Sequence, residues 1–176
     1  MSLFIKGGLL TNIYHWLHPH VPEERIPYWY KRSLIAEIWH VIRKWICQNI
    51  APNCVLTPVR KAMYRLCGFK IGRGGFIGMK CYFDDLCVDE IEIGDNVTIS
   101  YGVYMACHGH HQGHNRLTIK NGAYIGMRAN ITARQDLVIG EGAIIGAGTL
   151  VNKSVPDGAT CVGVPGKILK KHDKER

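Results

Sequence analysis

The sequence predicts a mainly β chain, a solenoid of six-residue rungs behind a helical segment, and three observations carry that prediction. From Ile71 onward an aliphatic residue followed by glycine recurs, as Ile71-Gly72, Ile77-Gly78, Ile93-Gly94, Ile125-Gly126, Ile139-Gly140 and Ile145-Gly146. The rung positions run at intervals of six: 71, 77 and 83; 93, 99 and 105; 119, 125 and 131; 139, 145 and 151. Four places after such a position stands a small or β-branched residue, as at Val97, Val103, Ala123, Ala129, Ala143, Thr149 and Val155. Two features locked to one period indicate stacked copies of one unit that cannot bury its apolar face alone.

Each rung reads as a short strand and a corner. The aliphatic side chain points inward and stacks on its equivalents in the coils above and below. The next position turns the corner, where glycine is least strained. The small residue fills the narrow interior beside the large one. Three rungs make a triangular coil, so about 100 residues give about five coils. A run of hairpins would instead show period-two alternation and paired turn dipeptides, and one such pair, Asn121-Gly122, lies inside a rung.

The period breaks three times: between Phe83 and Ile93, between Met105 and Ile119, and between Ile131 and Ile139. Loops thrown out of a solenoid are where function is expected. The middle break holds Cys107-His108-Gly109-His110-His111-Gln112-Gly113-His114, four of the chain's nine histidines.

Residues 1–70 differ in kind. Leu34, Ile35, Ile38, Trp39, Ile42, Trp45 and Ile46 fall at helical spacing within 28–50, and a second short helix is expected around Pro58–Cys67. These helices either cap the first coil, whose strand edges would otherwise be exposed, or form a Trp-bearing basic surface that contacts a membrane through residues 28–70. The charge supports treating the segment separately: 1–70 carries ten Lys/Arg against three Asp/Glu, and 71–176 carries twelve against eleven. At the other end, Gly163–Lys171 leaves the repeat, and Pro165 is expected to start a short helix whose N-terminus and lysines suit an anion. The organisation expected is therefore a helical cap over 1–70, a solenoid over 71–162 and a basic tail over 163–176.

Composition excludes several classes. No window approaches ~18 uninterrupted apolar residues, so no membrane span is expected, and no signal peptide is expected, since a charged n-region followed by an apolar run is not seen after Met1-Ser2-Leu3. Seven scattered cysteines without a C-x-x-C pair suggest reduced thiols in a cytoplasmic protein. Nucleic-acid binding is not expected, since the basic groups are not interleaved with exposed aromatics on the repeat.

The stretches Ile93-Gly94-Asp95-Asn96-Val97-Thr98-Ile99, Ile145-Gly146-Ala147-Gly148-Thr149-Leu150-Val151 and Gly163-Val164-Pro165-Gly166-Lys167 resemble the hexapeptide-repeat acyltransferases. The nearest branch is the sugar O-acetyltransferases of the galactoside and maltose type. The resemblance covers about residues 68–171. It implies a left-handed parallel β-helix, an exception to the usual right-handed crossover. It also implies a homotrimer whose active sites lie between subunits, and acetyl-CoA as co-substrate without a metal. By position His110 matches the family's general base, with His108 as competitor, and the Met127 backbone amide matches the group that meets the oxyanion. Gly146, Ala147, Thr149, Asn152 and Lys153 match the region along which the pantetheine arm lies. Pro165, Lys167 and Lys170 match the basic exit near the coenzyme's phosphates. Asp84 and Asp85, at the first break, are candidates to orient the histidine or to hold the acceptor. Tyr124 replaces a tryptophan common before the Ile-Gly pair, and the acceptor-binding asparagine of the sugar branch has no counterpart near Lys80.

The chemistry these residues suggest is direct transfer. A neutral histidine removes the proton from an acceptor hydroxyl as it attacks the thioester carbonyl, an effect worth about 10²–10⁴-fold. The acceptor expected is a hydroxyl of a sugar or sugar-containing molecule in surface polysaccharide assembly at the inner membrane face. Four alternatives remain: N-acetylation of an amino sugar, an acyl-enzyme on Cys107, a histidine-rich metal site of the γ-carbonic anhydrase kind, and a non-catalytic scaffold.

Overall fold

A computed structural model describes residues 9–26, 34–108 and 114–171. The chain divides into two compact units, Met1–Lys44 and Trp45–Arg176. In the first unit, α1 spans Leu9–Leu17, and α2 begins at Leu34 and runs to Trp45. In the second, a π-helical stretch over Ile46–Ile50 and a turn over Ala51–Asn53 lead to α3, Thr57–Leu66, and then to the coils. Pro58 sits in the first turn of α3, where its missing N–H costs nothing.

Twelve short strands make four complete coils: β1 (Lys70–Ile71), β2 (Phe76–Ile77) and β3 (Tyr82–Phe83); β4 (Ile91–Ile93), β5 (Thr98–Ile99) and β6 (Tyr104–Ala106); β7 (Leu117–Ile119), β8 (Tyr124–Ile125) and β9 (Asn130–Thr132); β10 (Leu137–Ile139), β11 (Ile144–Ile145) and β12 (Leu150–Val151). A partial fifth follows, with Val155 bridging to Ile139 and β13 (Ala159–Val162) pairing with β11. The strands stack in parallel into three sheets, β1-β4-β7-β10, β2-β5-β8-β11-β13 and β3-β6-β9-β12. The register is the one the period demands. Ile71, Ile93, Ile119 and Ile139 form one column; Ile77, Ile99, Ile125, Ile145 and Cys161 a second; Phe83, Met105, Ile131 and Val151 a third. Nearly all are buried, as are the small residues Val97, Val103, Ala123, Ala129, Ala143 and Thr149 between them. Burying one such aliphatic side chain contributes about 1.5–3 kcal/mol, and the columns repeat that contribution coil after coil.

The corners correct the reading of the Ile-Gly pair. The left-handed backbone conformation falls three places after the aliphatic residue, at Gly74, Lys80, Asn96, Gly102, Gly122, Arg128, Gly142, Gly148 and Gly158. The glycine directly after it is required by space. A Cβ on Gly140 would lie 2.3 Å from the Asp157 nitrogen, and one on Gly126 2.6 Å from the Ala147 nitrogen. Gly140→Ala is therefore expected to cost about 1–3 kcal/mol through overpacking against backbone, read as a lower urea midpoint. Gly122→Asn, at a corner open to solvent, is expected to change it much less.

Both ends of the solenoid are closed. At the first coil, one face of α3 supplies donors to strand carbonyls that have no coil beneath them. Arg60 Nε donates to Ile77 O at 2.8 Å, Tyr64 Oη to Cys81 O at 3.2 Å and Arg65 Nε to Ile71 O at 2.9 Å. Lys61 Nζ reaches Gly74 O, and the Arg60 guanidinium also meets Cys54 O. At the last coil the expected short helix after Pro165 is not formed. Residues Lys167–Lys171 are β14, antiparallel to β13 with Cys161 opposite Ile168. The physical reason is the open edge of β13, whose unpaired backbone groups a returning strand satisfies and a helix would not. An anion at Lys167 therefore has no helix N-terminus to bind.

Candidate active site

All three breaks in the period fall on one edge of the solenoid, after the third strand of a coil, so the chain leaves the stack at Asp84, Cys107 and Ala133 in successive coils. Asp84 follows directly from Phe83 at the end of β3, and Cys107-His108 continues from β6 one coil above. The Tyr82–Tyr104 and Phe83–Met105 register of these strands carries the carboxylate under the histidine.

Asp84 is fully buried, and the second loop is built on it. Its Oδ2 accepts from the Cys107 backbone N–H at 2.9 Å and the His108 backbone N–H at 3.2 Å, and it lies 2.5 Å from His108 Nδ1. Its Oδ1 accepts from the Leu86 N–H at 3.2 Å. Burial alone pushes the Asp84 carboxyl upward. The Cys107 N–H, the His108 ring and the Leu86 N–H outweigh it and hold the carboxyl below its ordinary value. An ionised carboxylate only accepts, so Nδ1 carries the proton and Nε2 is left as the basic nitrogen. The His108 side chain is 40% exposed, which leaves that nitrogen open to a reactant. A bridge between His108 and His114, and the Asn115 N–H donating to Cys107 O at 2.9 Å, close the base of the histidine loop. Asn115 Nδ2 ties it at 2.8 Å to Ala133 O in the third loop.

The depressed Asp84 carboxyl has a consequence for acid stability. A group held below its unfolded value, about 3.9, stabilises the fold fully above that pH and loses the contribution as pH falls through the folded value. The stability gap between wild type and Asp84→Asn, measured by urea unfolding, is therefore expected to be constant above about pH 5 and to shrink below about pH 4.

The other predicted residues distribute unevenly. Asp85 is buried and accepts from Gln48 Nε2 at 3.1 Å, a partner from the π-helical stretch that sequence reasoning did not single out. Met127, Gly146, Ala147 and Thr149 stand on a different edge, between the second and third sheets, and one chain does not bring them to His108. Thr149 is fully buried, so its side chain packs the corner and is closed to a ligand; Met127, Ala147, Lys153, Pro165 and Lys167 are exposed. Asn152 and Lys153 follow β12 on the His108 edge. Tyr124 lies on the outer face of the second sheet, where its hydroxyl meets Ser100 Oγ at 3.3 Å. His110 and the Lys170 side chain lie outside the described residues. Cys107 is fully buried; burial first, then Cys87, Asp84 and Glu90, push its thiol up to about 12. That removes the thiolate a Cys107 acyl-enzyme would need. Among the described residues no group of three or more His, Cys, Asp or Glu is arranged to hold a metal ion.

The fold defined by these coils is the left-handed β-helix of the hexapeptide-repeat acetyltransferases. A hexapeptide-repeat acetyltransferase from Vibrio cholerae superposes with a TM-score of 0.67 at 20% identity, covering 81% of this chain and 95% of that one. The galactoside acetyltransferase solved with coenzyme A gives 0.59 at 21%, covering 77% and 80%. A polySia-specific acetyltransferase gives 0.50 at 25%, covering 57% and 50%. No family model matches the chain. In sequence it is similar to the serine acetyltransferase of Bacillus pumilus, 39% identical over 107 residues, 60% of this chain and 46% of the relative. That of Bacillus subtilis is 38% identical over 110 residues, 61% and 48%. The chain thus spans about half the length of the curated relatives it matches. It has the fold of the hexapeptide-repeat acetyltransferases and, over about 60% of its length, sequence similarity to serine acetyltransferases.

Proposed function

We propose that this chain is a coenzyme A-dependent acetyltransferase that moves the acetyl group of acetyl-CoA to a hydroxyl of a sugar or sugar-containing acceptor. The observation that carries the reading is the pairing of a buried, ionised Asp84 with His108 Nδ1, which leaves a basic Nε2 on a partly exposed side chain. In the reaction, Nε2 takes the acceptor's hydroxyl proton as its oxygen bonds to the acetyl carbon. The carbonyl becomes an oxyanion that the Met127 N–H is positioned in sequence to meet. The C–S bond then breaks, and coenzyme A leaves as the thiol with the proton returned from His108. A positioned base of this kind is worth about 10²–10⁴-fold, and Asp84 steadies the imidazolium that forms in between.

The geometry supports His108 as the base and Asp84 as the residue that orients it. Tyr124 remains a candidate for the acceptor, while Asp85 is buried against Gln48 and closed to it. Gly146, Ala147, Asn152, Lys153, Pro165, Lys167 and Lys170 are the residues proposed to hold acetyl-CoA. Met127, Gly146 and Ala147 stand on a different edge of the solenoid from His108, with Asn152 and Lys153 on the His108 edge, and this separation supports a homotrimer in which one subunit's His108 faces its neighbour's Met127 and Gly146. We propose a cytoplasmic location for the reaction.

The acetyl-CoA and coenzyme A complexes of structural neighbours support the donor, and the polySia-specific neighbour supports a carbohydrate acceptor. A second reading, transfer to the hydroxyl of serine, is favoured by the serine acetyltransferases among the sequence relatives. The test is release of free thiol from acetyl-CoA against sugars, nucleotide sugars, amino sugars and L-serine. Release that depends on a sugar hydroxyl is expected. Release with serine alone selects the second reading, release with amino sugars alone selects N-acetylation, and no release with any acceptor overturns the proposal.

A further inference from the structure

The proposed reaction leaves one surface unexplained. On α2, Ile35, Ile38, Trp39, Ile42 and Trp45 follow one another at helical spacing, and all are exposed, Ile35 to 81%. On α1, Leu9, Ile13, Trp16 and Leu17 do the same, with Trp16 at 81%. In a soluble helix such a stripe normally faces the core. Here both stripes face outward, and neither helix is long and apolar enough to cross a membrane.

What would cover them is decided by charge and side-chain type. The stripes belong to residues 1–45, where six Lys/Arg stand against three Asp/Glu, and all four tryptophans of the chain lie there. Arg43 and Lys44 close the C-terminal turn of α2 beside Trp45. A second copy would set one net-basic segment against another, where the charges repel. An anionic lipid surface neutralises that charge, accepts indole rings at headgroup depth, and takes an apolar stripe without requiring a groove. We propose that α1 and α2 lie on the surface of an anionic bilayer, and so hold the acetyltransferase domain next to a membrane-borne acceptor pool.

The experiment uses the full chain with vesicles of phosphatidylcholine alone and of phosphatidylcholine with phosphatidylglycerol, read by flotation. Binding to the anionic vesicles only, weakening as salt is raised, is expected. Ile38→Glu with Ile42→Glu is expected to lower partitioning by roughly tenfold or more, since each isoleucine loses its apolar burial. Arg43→Gln with Lys44→Gln is expected to lower it by roughly fivefold per charge removed. Circular dichroism and thiol release report whether each variant keeps its fold and its chemistry. These arms also separate failure of the docking from failure of the enzymatic reading. Absence of flotation at low salt overturns the proposal. So does flotation unchanged by the glutamate pair. If that pair instead alters the oligomer by light scattering while the wild type ignores vesicles, the stripes cover a second copy and the proposal is wrong.

Discussion

His108→Ala is expected to lower turnover with acetyl-CoA by about 10²–10⁴-fold, with little change in the affinity for the coenzyme, while His110→Ala keeps turnover within the same order of magnitude. The argument is geometric. A base must present a lone pair of fixed direction, and Asp84 fixes the His108 ring by holding Nδ1–H at 2.5 Å and the loop backbone at 2.9 and 3.2 Å. Asp84→Asn tests the same point differently. An asparagine offers an amide N–H as readily as an oxygen, which favours the tautomer with the proton on Nε2 and removes the base without removing the ring. A large fall in kcat with KM for acetyl-CoA preserved is expected. If His110→Ala abolishes turnover and His108→Ala does not, the assignment is reversed, and Asp84 becomes a structural residue that anchors the loop.

The second large effect is on stability. Arg60→Leu is expected to cost about 3 kcal/mol or more, measured as the loss in unfolding free energy from urea titration. Arg60 is almost fully buried beneath the first coil and donates to the carbonyls of Ile77 and Cys54 and to Thr57 Oγ1. Leucine fills much of the volume but leaves those acceptors buried without partners, each at about 1–3 kcal/mol. Arg60→Lys is expected to recover only part of the loss, because an ammonium lacks the planar fork that reaches several carbonyls together. An Arg60→Leu protein as stable as wild type would mean that water or another donor serves the first coil, and the end cap would need another explanation.

Much of this was legible from the repeat. The period of six, the aliphatic columns, the three breaks and α3 as a closing helix all follow from residues whose role is set by their immediate neighbours in the stack. The histidine stretch was legible as a candidate site for the same reason, since it interrupts a period that nothing else interrupts so deeply. The α1 stripe was open to the same helical-spacing argument, as Leu9, Ile13, Trp16 and Leu17 show, but was not drawn from the sequence. Other features were less accessible. Helix after Pro165 was a sound local expectation, overturned by the open edge of β13. Glycine after isoleucine looked like a turn residue and is instead a point of close backbone approach, as the 2.3 Å at Gly140 shows.

What the sequence by itself determined is therefore the architecture: which residues face inward, where the coils are interrupted, and that histidines gather in the deepest interruption. Those are consequences of a period, and a period is visible in one dimension. The tertiary structure decided the partnerships between coils. It set Asp84 beneath His108, 24 residues away, gave Asp85 its contact with Gln48, and separated the His108 edge from the Gly126–Met127 and Gly146 edge. Such pairings depend on which coil lies above which and on how far each loop departs from the stack. Each interruption adds its own number of residues to a turn, and only the folded register shows which side chains meet across it.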